Sequence, residues 1–485
     1  MNKNNFKVSS ILYTLGSIFS ASISFIFLPV FMSEFSVSQY GTYSLILICS
    51  SIGAAVFYLG VTSALNRSYF DYPEHQDRMN CFYTTLVLLA FGGGLQIILG
   101  YIFADFISIL IFDNVTWAQG VFYALITASF GFINFAFLTY FRLKNEPYLF
   151  LFFSILSVFG NIVGIYYFVI FEGMGVIGAL IGPLVSQVII FIVFFLFHYR
   201  LFFQSKFMRK EAVLQLNYGF YTVLSSLGGL TILWADQFFI NKYLSINDVG
   251  VYSLSVKLAG IITVIFTTPF IQVFNPIVME QRESNGVKVL ISKTYESYVL
   301  IGLFLSILIS FAAEEFVYLF GKHAGYAESI IYIFPLMLSV CIYGLVNVVS
   351  IGLSFKRKLG RQTLVYFAFS LVNIILNVFL IPAFGIWGAI LSTFVTYFLI
   401  TVSLGIVSNH LYKVKYSPAI TWFVIVSSVL FFFINSQFVG SDIVYRMSYK
   451  CIVFLLIIFY VEHKFKLIEK IAHNFLKSKS NKGAT

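Results

Sequence analysis

Apolar runs long enough to cross a bilayer alternate with short polar gaps along the whole chain. About 20 residues of helix, at ~1.5 Å rise each, span the ~30 Å hydrocarbon core. Marking the runs between charge clusters predicts helices over 8–32, 42–66, 81–108, 116–141, 147–171, 175–199 and 216–244. They continue over 248–280, 292–320, 326–354, 362–382, 386–410, 418–436 and 445–461. The expectation is an all-α membrane protein of about fourteen transmembrane helices. The first run is too long for a signal-peptide core and has a dozen similar successors, so it reads as a retained helix.

Charge gives this string of helices an orientation. With the N-terminus cytoplasmic, 25 of the 30 Lys and Arg residues fall in cytoplasmic segments. The outer segments hold only Lys242, Lys322, Arg446 and Lys450, and Lys257 lies inside a helix. One missed span would invert every later loop, so the split predicts an even number of spans with N and C termini cytoplasmic. External connections such as Ser33–Ser38, Glu172–Gly173 and Pro382–Gly385 are very short. The longest polar segments, Arg200–Gln215 and the tail after Val461, are cytoplasmic, and no external segment is long enough for a catalytic loop.

Composition agrees. The chain is 59% hydrophobic and 10% charged, against about 45–50% and about 25% in a soluble domain. There is too little polar surface to cover a water-facing globule, so the chain forms one membrane unit. The net charge of +10 would suggest nucleic acid in a soluble protein; here it obeys topology, and no nucleic-acid partner is expected. Cys49, Cys81, Cys341 and Cys451 lie in or beside apolar segments without C-x-x-C spacing. They read as buried small hydrophobes rather than metal ligands or a disulfide framework.

Two short motifs recur in order at nearly one offset, which reads as an internal duplication; the other reading is that both merely suit helix starts and close packing. Gly41-Thr42-Tyr43-Ser44-Leu45 recurs as Gly250-Val251-Tyr252-Ser253-Leu254, an offset of 209, which also pairs Asn66 with Asn275. Later in each half, Gly175-Val176-Ile177-Gly178-Ala179 recurs as Gly385-Ile386-Trp387-Gly388-Ala389, an offset of 210. Six helices per repeat is an even number, so the halves are parallel repeats about an axis along the membrane normal. The division is a six-helix lobe over 1–210, a second over 211–412, an extra helix pair over 413–463 and a basic cytoplasmic tail over 464–485.

These features resemble the Wzx-type polysaccharide flippases of the multidrug/oligosaccharidyl-lipid/polysaccharide exporter superfamily. The similarity is carried by Leu28-Pro29 through Gly41-Thr42-Tyr43-Ser44, and by Asp236 through Gly250-Val251-Tyr252-Ser253 with Lys257 following. The basic turn Arg142-Leu143-Lys144 and the helix pair ending in Gly175-x-x-Gly178-Ala179 add to it. The resemblance implies two lobes around a central cavity, and an extra helix pair that accommodates a lipid tail. It implies a bacterial inner-membrane transporter, acting as a monomer, that moves an undecaprenyl-diphosphate-linked oligosaccharide outward for O-antigen, capsule or exopolysaccharide assembly. A polymerase and a chain-length regulator are the implied partners. The implied mechanism is alternating access driven by an ion gradient or the membrane potential rather than ATP, with no cofactor beyond a coupling cation, H+ or Na+. No G-x-x-x-x-G-K-[ST] phosphate loop is present to suggest ATP. The rivals are a MATE-like exporter of cationic drugs, a membrane glycan polymerase or ligase, and a subunit of an ATP-driven complex.

Charged groups inside spans are the first candidates for function, because each costs several kcal/mol in hydrocarbon. Asp236 lies about eight residues before the outer turn and Lys257 about nine residues past it, at matched depths of roughly 12–14 Å. The pair is either a cavity pair that engages the diphosphate or a coupling cation, or a bridge pinning one hairpin. Arg67, beside Asn66, ends the second helix on the cytoplasmic side; it either snorkels or meets the pyrophosphate with its guanidinium fork. Asn275 is the repeat partner of Asn66. Arg142 and Lys144 are topology signals or a cytoplasmic approach for substrate. Asp105 and Glu172 lie near outer helix ends, where solvation is expected. Asn161, Gln187, Asn217, Asn373 and Asn377 either line a polar cavity or bond helices together. Pro29, Pro183 and Pro269 are candidate hinges.

Overall fold

The computed structural model describes residues 25–456, apart from 285 and 357, together with positions 12, 13, 16 and 19. Most of the predicted first helix, both termini and the tail 464–485 lie outside the described residues. Among these, twelve helices are long and apolar enough to cross a membrane. The end of the first predicted span is helical over Leu28–Glu34 (α1), and residues 443–456 are helical at the other end. The chain is an all-α, multi-pass membrane protein.

The first half contains α2 (Val37–Phe57), α3 (Val61–Ser68), α4 (His75–Phe112), α5 (Ala118–Leu143), α6 (Pro147–Tyr166), α7 (Gly175–Phe197) and a short α8 (Tyr199–Gln204). The second holds α9 (Arg209–Tyr243), α10 (Ile246–Ala259), α11 (Thr268–Glu280), α12 (Val287–Phe320), α13 (Ile330–Val349), α14 (Ile351–Phe355), α15 (Leu359–Phe384) and α16 (Ile386–Leu411). Then come α17 (Pro418–Phe438) and α18, the helix over 443–456.

Several predicted helices have different boundaries, and four of these differences bear on the fold. The one expected over 42–66 starts at Val37, because Ser36 and Gln39 form a capping box that satisfies the first free amides. It then breaks at Leu59 and Gly60, whose φ angles are +55° and +64°. Glycine is required there: a Cβ on Gly60 would meet the Gly219 carbonyl oxygen of α9 at 2.5 Å. The helix expected from 216 starts at Arg209, so the 210/211 lobe boundary falls in its first turn. The helix over 248–280 is interrupted by a π-turn at Thr263–Thr267, just before Pro269. The helix over 326–354 breaks at Ser350. Cys81 and Cys341 are buried, but Cys451 is exposed, and all four cysteines are free thiols.

The two copies of the repeated motif begin their helices in the same way. Ser245 caps α10 by accepting the Asp248 amide at 3.2 Å, the counterpart of Ser36 and Gln39. Within the first half α4 runs along α5, and α7 packs on α5 and α6; in the second, α16 packs on α13 and α15. The halves meet where α10 lies against α2, and where α9 lies against α2, α3 and α4. The meeting line is held by glycines. A Cβ on Gly41 would meet the Ile246 carbonyl oxygen at 2.3 Å, and one on Gly250 the Val37 carbonyl oxygen at 2.0 Å. The two repeat-related glycines thus let two backbones touch.

The last two helices dock on α12. Lys450 of α18 pairs with Glu314 at 2.7 Å and Glu315 at 2.5 Å, and Arg446 pairs with Glu315 at 2.9 Å. Glu314, Arg446 and Lys450 are buried. Arg446 and Lys450 are therefore neutralised inside the protein.

Candidate functional site

Asp236 of α9 is buried, and three neutral donors from three other helices converge on its carboxyl group. Tyr252 of α10 donates its hydroxyl to Oδ2 at 2.6 Å, and the Thr393 hydroxyl of α16 also donates to Oδ2. The Asn377 amide of α15 donates to Oδ1 at 2.5 Å. Asn377 also bonds Asn373, one helical turn back, and Asn373 reaches Ser392 and Thr396 of α16 at 3.2 and 3.3 Å. The i, i+4 spacing puts both asparagines on one face of α15, turned toward α9 and α16. Asn377 Oδ1 is buried without a hydrogen-bond partner. A carboxylate enclosed by hydroxyl and amide oxygens is chemically suited to take a proton or a small hard cation.

Lys257 is not the partner of Asp236 among the described ion pairs. Tyr252 occupies the position on α10 that faces Asp236, and Lys257, five residues on, is turned away by roughly 140°. Its ammonium instead stands 5.5 Å from the centre of the Phe25 ring, on the first span. It lies in the last turn of α10, where free carbonyls and the helix dipole favour a cation. The pairing expected from equal depth along the helices fails on direction around them.

The remaining candidates lie elsewhere. Arg67 and Asn66 are exposed on α3, with Arg67 5.6 Å from the Tyr218 ring of α9. A cavity of about 180 Å³ there is lined by Arg67, Ser68, Asp71, Glu211 and Gln215. Glu211, buried at the start of α9, accepts from Ser68 at 2.5 Å, Tyr72 at 2.8 Å and Gln215 at 3.0 Å. Burial and the Glu211 carboxylate push the Tyr72 phenol above its ordinary range, which keeps it a donor. Asn275 is half-buried on α11, without a described contact to Asn66. Arg142 bonds Thr139 at 3.2 Å and stands over Phe135 and Phe150. Lys144 pairs with Glu146 at 2.9 Å in the same turn. Those two cations are held locally and join neither Asp236 nor Arg67 in the described contacts. Gln187 accepts from Asn134 at 2.7 Å and Asn161 bonds its own helix; Asp105, Glu172 and Asn217 are exposed.

Two cavities frame these groups. One of about 470 Å³ lies between the halves, lined by Ser51, Ala54 and Tyr58 of the first half and Thr222, Ser226 and Leu233 of α9. Gly60, in its lining, sits against Gly219 of α9, where a Cβ on Gly219 would meet the Leu59 carbonyl oxygen at 1.9 Å. The other, about 540 Å³ and almost wholly apolar, runs between α12, α13, α16 and α17, past Tyr298, Leu338, Phe398, Val402 and Val429.

Tyr252, Thr393, Glu211, Gln237 and the Glu314–Glu315 pair did not stand out as site residues in the sequence. Asn373 and Asn377 did carry a signal, two amides one turn apart in a span. Ser44 and Tyr252 sat within the repeated motif without a role.

Two packed helical halves thus enclose a cavity with Ser51, Tyr58, Thr222 and Ser226 among its lining, and the second half buries the acid Asp236. The chain belongs to the polysaccharide biosynthesis protein family, whose profile, described as "Polysaccharide biosynthesis protein", matches residues 35–324. It is 29% identical over 200 residues to the "Probable low-salt glycan biosynthesis flippase Agl15" of Haloferax volcanii; the match covers 40% of this chain and 41% of that one. In three dimensions it is similar to the lipid II flippase MurJ in an inward closed conformation, at a TM-score of 0.70 and 14% identity, covering 93% of this chain and 99% of MurJ. It is also similar to a mutant of the Vibrio cholerae MATE transporter VcmN, at a TM-score of 0.57 and 13% identity, covering 84% and 96%. At such identities these two likenesses establish the fold.

Proposed function

We propose that the protein is a flippase that carries an undecaprenyl-diphosphate-linked oligosaccharide from the cytoplasmic to the outer leaflet for surface polysaccharide assembly. Alternating access is coupled to a cation, H+ or Na+, taken up at Asp236. The observation that carries the reading is the pair of cavities, in a member of a polysaccharide biosynthesis family: one between the halves, with the hydroxyl-bearing Ser51, Tyr58, Thr222 and Ser226 among its lining, and one apolar and beside α17. A lipid-linked sugar needs both chemistries at once. The groove gives an isoprenoid chain a dry surface, while serine, threonine and tyrosine hydroxyls in the central cavity suit a glycan. Lys257, without an acidic partner among the described residues, supplies the charge that a diphosphate needs. Asp236, likewise without a cation beside it, is the group whose protonation or cation binding changes the local charge. The glycan flippase similar to one part of the chain supports the same substrate class.

The test is a deletion. Cells lacking the protein should lose the surface polymer and accumulate its lipid-linked repeat unit on the cytoplasmic leaflet. Normal polymer with heightened sensitivity to cationic drugs would assign the protein to drug export instead.

A further inference from the structure

Next to Asp236 on α9 stands Gln237, which is 5% exposed and whose single carbonyl oxygen serves both repeats. Ser253 of α10 donates its hydroxyl to Gln237 Oε1 at 2.7 Å, and Ser44 of α2 donates to the same oxygen at 2.9 Å. Ser44 and Ser253 are repeat-related, 209 residues apart. They meet on a residue that has no counterpart, because the same offset sets Asp236-Gln237 against Phe27-Leu28. The acid and its neighbour belong to the second repeat only, yet one hydrogen bond from that neighbour crosses to the first.

We propose that Gln237 is the positioning residue that ties the state of Asp236 to closure of the outer side of the transporter, through Ser44. The inference rests on the reading of Asp236 as the coupling-cation site. Asp236 binds Tyr252, Gln237 binds Ser253, and each pair is consecutive on its helix, so α9 and α10 are joined by two adjacent rungs. A cation or proton at Asp236 competes with the Tyr252 hydroxyl for the carboxylate, and weakening that rung shifts Ser253 beside it. Both lone pairs of the Gln237 oxygen are engaged, so a shift of Ser253 is felt in the bond to Ser44. One turn from Ser44, the Gly41–Gly250 contact holds α2 and α10 with no spare room, and close-packed interfaces of that kind separate rather than stretch. The cytoplasmic contacts at Gly60–Gly219 and Glu211 share no described bond with this network.

The test is a double-mutant cycle on the full chain in nanodiscs, read by amide hydrogen exchange over residues 36–45 and 245–254. Asp236→Asn neutralises the carboxyl as a bound proton or cation would, whichever ion the protein uses. It should speed exchange at both outer helix ends about fivefold, the equivalent of one net hydrogen bond. Ser44→Ala should produce a similar rise by itself, and adding Asp236→Asn to it should produce no further change. Ser44→Thr, which keeps the hydroxyl, should respond to Asp236→Asn as the wild type does, and Gln237→Leu should reproduce the result of Ser44→Ala. Additive effects of the two substitutions, or unchanged exchange in Asp236→Asn, would overturn the proposal. Gradient-driven transport at the wild-type rate by Asp236→Asn would instead overturn the underlying cation-site reading.

Discussion

Asp236 and Lys257 show how little of a side chain's surroundings depth alone determines. Asp236 is met by hydroxyls and an amide from three helices, and Lys257 by an aromatic ring and a helix end. With separate partners, Asp236→Asn and Lys257→Met should act independently. Their interaction energy should stay within about 0.5 kcal/mol in thermal unfolding, and the double variant should transport no better than the worse single. Recovery of transport in the double variant would restore the ion-pair reading. Asp236 was legible in the sequence because an acid in a span is rare. Its partners were not, because Tyr252, Thr393 and Asn377 come together only once four helices adopt particular rotations, and spans that are apolar all round carry little information about rotation.

Among elements, glycines and buried charges decide which helices touch. Gly250→Ala removes a poor helix former, which by itself would stabilise by about 1 kcal/mol. The added Cβ would meet the Val37 carbonyl oxygen at 2.0 Å, so the variant should be destabilised despite that gain. Gly94, with nothing within 4 Å of its Cβ position, is the control: Gly94→Ala should raise the melting temperature where Gly250→Ala lowers it. Equal rises in both would deny the backbone contact. At α18, Lys450→Met leaves Glu314 buried with only a 3.9 Å contact to Arg446 and should cost about 3–5 kcal/mol. Adding Glu314→Gln balances the cluster again and should recover most of the loss in chemical denaturation. The repeated motif marks Gly41 and Gly250 in the sequence, but not that their backbones touch. The break at Gly60 and the π-turn at Thr263–Thr267 were hidden, because apolar runs continue straight through them and hydropathy reads continuity, not backbone direction.

For the whole molecule, the alternation of long apolar runs and short polar gaps anticipated the twelve helices long and apolar enough to cross a membrane among the described residues. The distribution of chemistry between the repeats was less visible. Both carry the same Gly-x-Tyr-Ser motif, but only the second carries Asp236, Asn373 and Asn377. Asp236 and its asparagine partners are thus a departure from the repeated pattern. The central claim is that this asymmetry drives glycolipid movement. Its most direct test uses proteoliposomes carrying an undecaprenyl-diphosphate-linked oligosaccharide, with appearance of the glycan in the far leaflet followed under an imposed Na+ or proton gradient. Wild-type protein should move the lipid with one of the two gradients and fall to the protein-free rate when ionophores collapse it, while Asp236→Asn should stay at that rate throughout. Wild-type movement that is unchanged after the collapse, or full activity in Asp236→Asn, would contradict the account.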